Sequence, residues 1–170
     1  MSKSTSESPK PARRRRKAEP AAPAPFDAAP IDEAPADAAP RPLFVAELAA
    51  RWRDLDAFNH VNNSNYLTYL EEARLQWLSH VPGPWFDEHA MPVMAAAQLN
   101  YRRPIEWPAQ LHVQLYCERM GTTSMTIAHR LVDAGDAGAL YCDGHVVMVW
   151  MDPATGKPVP LPQAIRDAAG

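Results

Sequence analysis

Apolar and polar residues alternate along positions 43–53. Phe44, Ala46, Leu48, Ala50 and Trp52 share one side, and Arg51 and Arg53 share the other. A period of two predicts a half-buried first strand. The alternation breaks over 54–63, DLDAFNHVNN, which reads as a loop. Asn63 or Ser64 can close it, because a short polar side chain can accept from the free N–H groups of a helix's first turn. A helix is expected over 64–79. Tyr66, Tyr69, Leu70, Ala73 and Trp77 recur at helical spacing, and Leu67, Leu75 and Leu78 widen the apolar face. So broad a face predicts an enclosed helix. Pro82, Gly83 and Pro84 stop it.

Strand patterns then return at 92–104, 110–119, 123–132 and 139–151. Leu111, Val113, Leu115 and Cys117 alternate, as do Met125, Ile127, His129 and Leu131. Turns fall at Gly121 and at Asp133, Gly135, Asp136 and Gly138. Asp152, Pro153 and Gly156 end the last strand. Strand, long helix, then four strands is an α+β order: one long helix wrapped by a curved antiparallel sheet of about five strands.

Composition separates a tail from this domain. Residues 1–41 hold eight of the 18 prolines, one aromatic (Phe26) and no apolar rhythm. Such a segment cannot bury enough surface to offset its ordering entropy, so disorder is expected there, with the folded domain at 42–170. The tail carries eight Lys/Arg against six Asp/Glu; the remainder carries nine against fourteen. A domain this acidic argues against non-specific nucleic-acid binding. The basic run Arg13–Lys17 reads as a solvated cluster, with RNA, anionic lipid or an acidic partner as the alternative. No apolar segment adjoins the N-terminal basic residues, which predicts no secretory signal. No run approaches the length of a membrane span, so a cytoplasmic protein is expected. Cys117 and Cys142 fall in strand patterns and are expected to be reduced and buried. Neither they nor His80, His89, His112, His129 and His145 show metal-ligand spacing, so neither metal nor cofactor is expected.

The chemistry concentrates at 54–63. Asp54, Asp56, His60, Asn62 and Asn63 fall within ten positions at a helix start. A carbonyl under attack needs a nucleophile or base on one side and hydrogen-bond donors for the oxyanion on the other. A carboxylate in this loop can supply the first. The unpaired N–H groups of the helix start, with their partial positive charge, can supply the second. On residue pattern alone, Asp56 reads first as a loop cap, Asp54 as a loop anchor and His60 as a structural imidazole. No G-x-S-x-G elbow and no glycine-rich phosphate loop is present.

The linked positions resemble the hotdog-fold thioesterases, in the branch of 4-hydroxybenzoyl-CoA thioesterase and bacterial long-chain acyl-CoA thioesterases. The family pattern D-x-D-x-x-x-H-V-N-N, then Y-x-x-Y/F-x-E-x-A-R, is met by Asp54, Asp56, His60, Val61, Asn62, Asn63, Tyr66, Tyr69, Glu71, Ala73 and Arg74. Tyr101 and Pro104 match a strand ending in Y-x-R-P, and KPVPLP at 157–162 matches the usual tail.

The resemblance implies a hotdog dimer, with its sheets joined edge to edge and often paired into tetramers, and active sites at the subunit interface. It implies catalysis by Asp56 as nucleophile or general base, assisted by His60, with the backbone N–H at Asn63 as oxyanion hole. A related branch pairs its Asp with an Asn where this chain has Phe58, which departs from that version. Glu71 is expected to pair with Arg74 rather than to position water. Tyr66, Arg102, Arg103, Arg119 and Ser124 are the candidate substrate contacts, the arginines for the phosphates of coenzyme A. Trp77 and Met94 are expected to set the acyl pocket's length. The activity implied is hydrolysis of acyl-CoA to free acid and coenzyme A. The alternatives are the same reaction on acyl-acyl carrier protein, and a non-catalytic acyl-thioester-binding module.

Overall fold

The computed structural model describes residues 41–170. Apart from Arg41, the predicted tail with its basic run lies outside them. The chain forms β1 (Phe44–Ala49), a 3-10 turn (Trp52–Asp54), α1 (Asn63–His80), β2 (Met91–Tyr101), β3 (Gln110–Met120), β4 (Ser124–Asp133), β5 (Leu140–Asp152), the two-residue β6 (Lys157–Pro158) and α2 (Gln163–Ala169). The sheet order is β1-β3-β4-β5-β2, with β6 beside β5, and every strand pairing is antiparallel. This is the α+β arrangement the sequence predicts.

The period-two faces of the inner strands build the core. Leu111, Val113 and Leu115 of β3, Met125, Ile127 and Leu131 of β4, and Val146 and Trp150 of β5 are all buried. Tyr66, Tyr69, Leu70, Ala73 and Trp77 of α1 join them in one continuous cluster. Truncating a fully buried leucine such as Leu70 typically costs about 2–5 kcal/mol.

Several local expectations are corrected. Trp52 does not continue the first strand's buried face but is 73% exposed, because the chain turns into the 3-10 segment after Ala50. The helix cap is neither Asn63 nor Ser64. It is Asn62, whose Oδ1 accepts from the Ser64 backbone N–H at 3.0 Å and from the Ser64 hydroxyl at 2.7 Å. The helix is not enclosed all round, since Leu67 and Leu75 are exposed while Leu78 is buried. The short α2, unanticipated, buries Ile165, and its Arg166 donates to the carbonyls of Gly121 and Thr122.

Of the longer strands the edge strand β2 is the most exposed, with Met91, Val93, Met94 and the run 95–98 open to solvent. It lies so close to β5 that a Cβ at Gly144 would fall 2.0 Å from the Gln98 carbonyl oxygen. That approach requires glycine at position 144.

One buried carboxylate joins the first strand's end to the helix. Asp54, 3% exposed, accepts through Oδ2 from Tyr69 Oη at 2.7 Å and Arg51 Nε at 2.9 Å. Burial alone would raise its pKa, but the hydrogen bonds from Arg51 and Tyr69 outweigh burial and hold it below the ordinary 3.8. With the folded value below the unfolded one, this contribution is complete above the ordinary value and is lost as pH falls through the folded one. Asp54→Asn is expected to lower stability by about 2 kcal/mol in urea unfolding at neutral pH. It is also expected to flatten the acid-side loss of stability. An unchanged midpoint would show that the carboxylate is not what holds this junction.

Candidate active site

The loop between Asp54 and α1 is a small hairpin. Leu55 and Val61 form a bridge. The Asp56 N–H donates to the His60 carbonyl at 2.7 Å, and the Asn59 N–H donates back to the Asp56 carbonyl. Asn59 turns the chain in the left-handed region at φ 63°, a conformation asparagine tolerates. The Asp56 carboxylate stands over this turn. Its Oδ1 accepts from the Phe58 N–H at 2.8 Å and the His60 N–H at 3.3 Å. Its Oδ2 takes no hydrogen bond from any described residue. Asp56 is therefore both a turn cap, through one oxygen, and a free carboxylate, through the other.

The helix start is tied to the same junction. The Asn62 N–H and the Asn65 Nδ2 both donate to the Asp54 carbonyl, at 2.8 and 2.9 Å. In the first turn, the cap side chain takes the Ser64 N–H and the Asn62 carbonyl takes the Asn65 N–H. The Asn63 N–H has no acceptor among the described residues. It is the uncommitted donor at the positive end of an 18-residue helix.

His60 lies on the other side of the hairpin. It forms a bridge with Glu106, and its Nε2 is 4.0 Å from the Glu106 carboxylate. The loop thus brings Asp56 and His60 together through their backbones, while the imidazole faces Glu106. The sequence reading missed Glu106, since only the fold makes residues 60 and 106 neighbours. It also gave Tyr101 no role, yet the Tyr101 hydroxyl donates to the Asn63 carbonyl at 3.0 Å. Tyr101 stands edge-on to Tyr66 with ring centroids 5.0 Å apart.

The substrate-contact candidates scatter. Tyr66 is only 2% exposed; it backs Tyr101 and offers little surface to a ligand. Burial pushes its hydroxyl pKa up to about 12. Arg102 is engaged in a two-pronged pair with Asp143, at 3.0 and 3.1 Å. Arg103 is exposed beside Tyr101. Arg119 and Ser124 lie elsewhere: Tyr101 is level with Cys142 on β5, whereas Ser124 is level with Val149. Seven strand residues separate the two levels, roughly 23 Å. Within one chain these residues do not converge.

A cavity of about 260 Å³ opens between α1 and β2. Leu75, Leu78, Phe86, Met91, Met94 and Met148 give it an apolar lining, with Glu71 and Arg74 as its charged members. Met94 lines it. Trp77 does not, because it is packed in the core. The expected Glu71–Arg74 ion pair is also absent, with no contact within 4.0 Å among the described salt bridges. Arg74 instead turns inward, and its Nη2 meets the Met94 sulfur at 3.9 Å. No group of three His, Cys, Asp or Glu among the described residues is arranged to hold a metal.

A main helix backed by an open antiparallel sheet is the architecture of the hotdog thioesterases. Residues 50–169 match the Thioesterase-like superfamily, and the chain belongs to that family. The long-chain acyl-CoA thioesterase FadM of Escherichia coli is 28% identical over 123 residues, covering 71% of this chain and 92% of FadM. The solved Xanthomonas campestris protein XC229 is 46% identical with a TM-score of 0.62, over 66% of this chain and 96% of its own. A Thermus thermophilus thioesterase solved with coenzyme A and zinc is 31% identical with a TM-score of 0.64, over 75% and 91%.

The cap sets the donor's position, so it is testable. Asn62→Ala is expected to cost about 1 kcal/mol of stability. It also releases the Ser64 N–H as a second unpaired donor beside that of Asn63. Urea unfolding and steady-state turnover, measured together, check this. A stability equal to that of the parent chain would remove Asn62 as the cap.

Proposed function

We propose that the chain hydrolyses acyl-CoA to free acid and coenzyme A, with Asp56 as the reacting carboxylate. The observation that carries this reading is the pairing of one free carboxylate oxygen on Asp56 with one free N–H at Asn63, on either side of the same short hairpin. A thioester carbonyl held there meets a nucleophile or base and an oxyanion donor in a fixed frame. One such donor is worth roughly 3 kcal/mol in the transition state. Kinship with a curated acyl-CoA thioesterase, and with a thioesterase whose structure holds coenzyme A, supports the substrate.

Asp56 acts by one of two routes. Its Oδ2 attacks the carbonyl carbon, the C–S bond breaks, coenzyme A leaves as thiolate and takes a proton, and water hydrolyses the acyl anhydride. Alternatively Asp56 removes a proton from water, the hydroxide so formed attacks the carbonyl carbon, the C–S bond breaks, and coenzyme A leaves as thiolate and takes that proton. His60, placed by its bridge to Glu106, assists the proton movement. Arg103, exposed two residues past Tyr101, is the cation we assign to a coenzyme A phosphate.

Asp56→Asn keeps the turn's Oδ1 acceptor and removes the charge. Turnover is expected to fall about a hundredfold or more, with thermal stability close to that of the parent. Free-thiol release measured on both proteins decides this. Near-normal turnover would end the carboxylate mechanism.

The same reading includes self-association through β2. An exposed edge strand bearing Met91, Val93 and Met94, with Leu75 of α1 beside Met91 and Met94, is a template for a second copy. Sedimentation at micromolar concentration is expected to show a dimer or larger. Val93→Lys, which sets a charge on that edge, is expected to shift it toward monomer. A parent chain that sediments as monomer contradicts this.

A further inference from the structure

Glu71 and Arg74 stand three residues apart in α1 with opposite charges, yet they make no ion pair within the chain. Arg74 is 6% exposed, and its Nη1 has no hydrogen-bond partner. Its Nη2 meets only the Met94 sulfur, a weak acceptor, at 3.9 Å. A guanidinium keeps its charge when buried, and a buried charge without a counter-charge is strongly destabilising. The nearby His129 brings no anion. It is 1% exposed, both its ring nitrogens are unpaired, and burial, with the Arg74 charge, lowers its pKa to about 4. Glu71 is the reverse case. It is exposed, lines the same cavity as Arg74, and has no basic group within 4.0 Å among the described salt bridges.

A second copy joined through β2 supplies what each residue lacks. Isologous pairing relates two copies by a two-fold axis, so whatever one copy presents it also receives. Antiparallel pairing of β2 along its full length, Met91–Tyr101, puts that axis beside its middle residue, Ala96. The helix can be placed on the same scale. Tyr101 touches Asn63 and Met94 touches Arg74, so α1 runs opposite to β2, and Ala96 lies level with the turn that holds Glu71. Helical side chains lean back toward the N-terminus. Arg74 therefore leans toward the axis, and the partner's Glu71 leans across the axis toward the level of Arg74. At the joint the two β2 backbones are roughly 4.8 Å apart. Met94, unbranched and 47% exposed, can yield its place beside the guanidinium to a carboxylate.

Resting on the reading of self-association through β2, we propose that Glu71 of each copy closes on Arg74 of the other, so that two equivalent ion pairs lock the dimer at its axis. This accounts for an acid and a base that belong to one linked E-x-A-R pattern and do not pair within one chain. A second copy is the occupant that fits, because it brings a carboxylate to the level of each guanidinium and takes one in return. Such a carboxylate satisfies the buried charge with charge-assisted hydrogen bonds, and truncating one member of a desolvated pair is costly.

The test is sedimentation equilibrium of the full chain. Glu71→Gln keeps the size of an exposed side chain and removes its charge, leaving the protomer's own core intact. The dimer Kd is expected to rise about a hundredfold or more, since both pairs are lost together. Glu71→Lys alone and Arg74→Glu alone set like charges against each other in both pairs, and each is expected to be a monomer. Mixed in equal amounts they are expected to form a heterodimer, in which both pairs are again opposite in charge. Pairing inside one chain cannot produce that rescue, because each variant keeps two like charges on its own helix. A Glu71→Gln dimer as tight as the parent overturns the inference, and so does a mixture of the two folded charge variants that stays monomeric. Where circular dichroism shows that Arg74→Glu does not fold alone, Glu71→Gln and Glu71→Lys decide the matter. A parent chain that is itself a monomer overturns the β2 reading as well, whereas a parent dimer indifferent to Glu71 leaves that reading standing.

Discussion

The site depends on how Asp54 is held. Its carboxylate takes the Tyr69 hydroxyl and the Arg51 guanidinium, and its backbone carbonyl takes the Asn62 N–H and the Asn65 amide. Through one residue the end of the first strand, the second turn of α1 and the helix cap become a single rigid unit. Hydrogen bonds to a buried charged group are stronger than neutral ones and costly to leave unmade. The hairpin of Asp56 to His60 can then be short, because both its ends are already fixed. Asp54 and Asp56 have the same side chain two positions apart. One is consumed by structure, and the other keeps an oxygen free.

This division of labour also explains the helix start. A helix presents four unpaired N–H groups, and a protein ordinarily covers as many as it can. Here Asn62 and its side chain cover those of Ser64 and Asn65 and stop there. The exposed Asn63 N–H is left over with the helix dipole behind it, and the Tyr101 hydroxyl steadies its residue from the carbonyl side. The cap fixes that N–H by engaging its neighbours and leaves it without an acceptor among the described residues.

Much of this was legible in the sequence, and the failures have identifiable causes. Alternation in β3, β4 and β5 and helical spacing in α1 located the core, because burial on one face writes its period directly into the chain. The hairpin residues were legible because catalytic and capping residue types were crowded beside a helix start. Trp52 was misread because two-residue alternation cannot announce that the backbone leaves the strand after Ala50. Leu67 and Leu75 were misread because an apolar residue left exposed looks the same in sequence as one facing a core. Glu106 beside His60, and the separation of Arg119 from Arg103, depend on sheet register, which no local pattern encodes. The edge role of β2 was hidden for the same reason.

Arg74 shows the limit most clearly. In sequence it sits three residues after Glu71 and invites an ordinary surface ion pair. In the fold it lies on the Tyr66–Leu70–Leu78 side of the helix, four residues from both Leu70 and Leu78, and turns inward where Glu71 does not follow. A pair on a helix surface is worth a few tenths of a kcal/mol and would not hold an arginine under a helix.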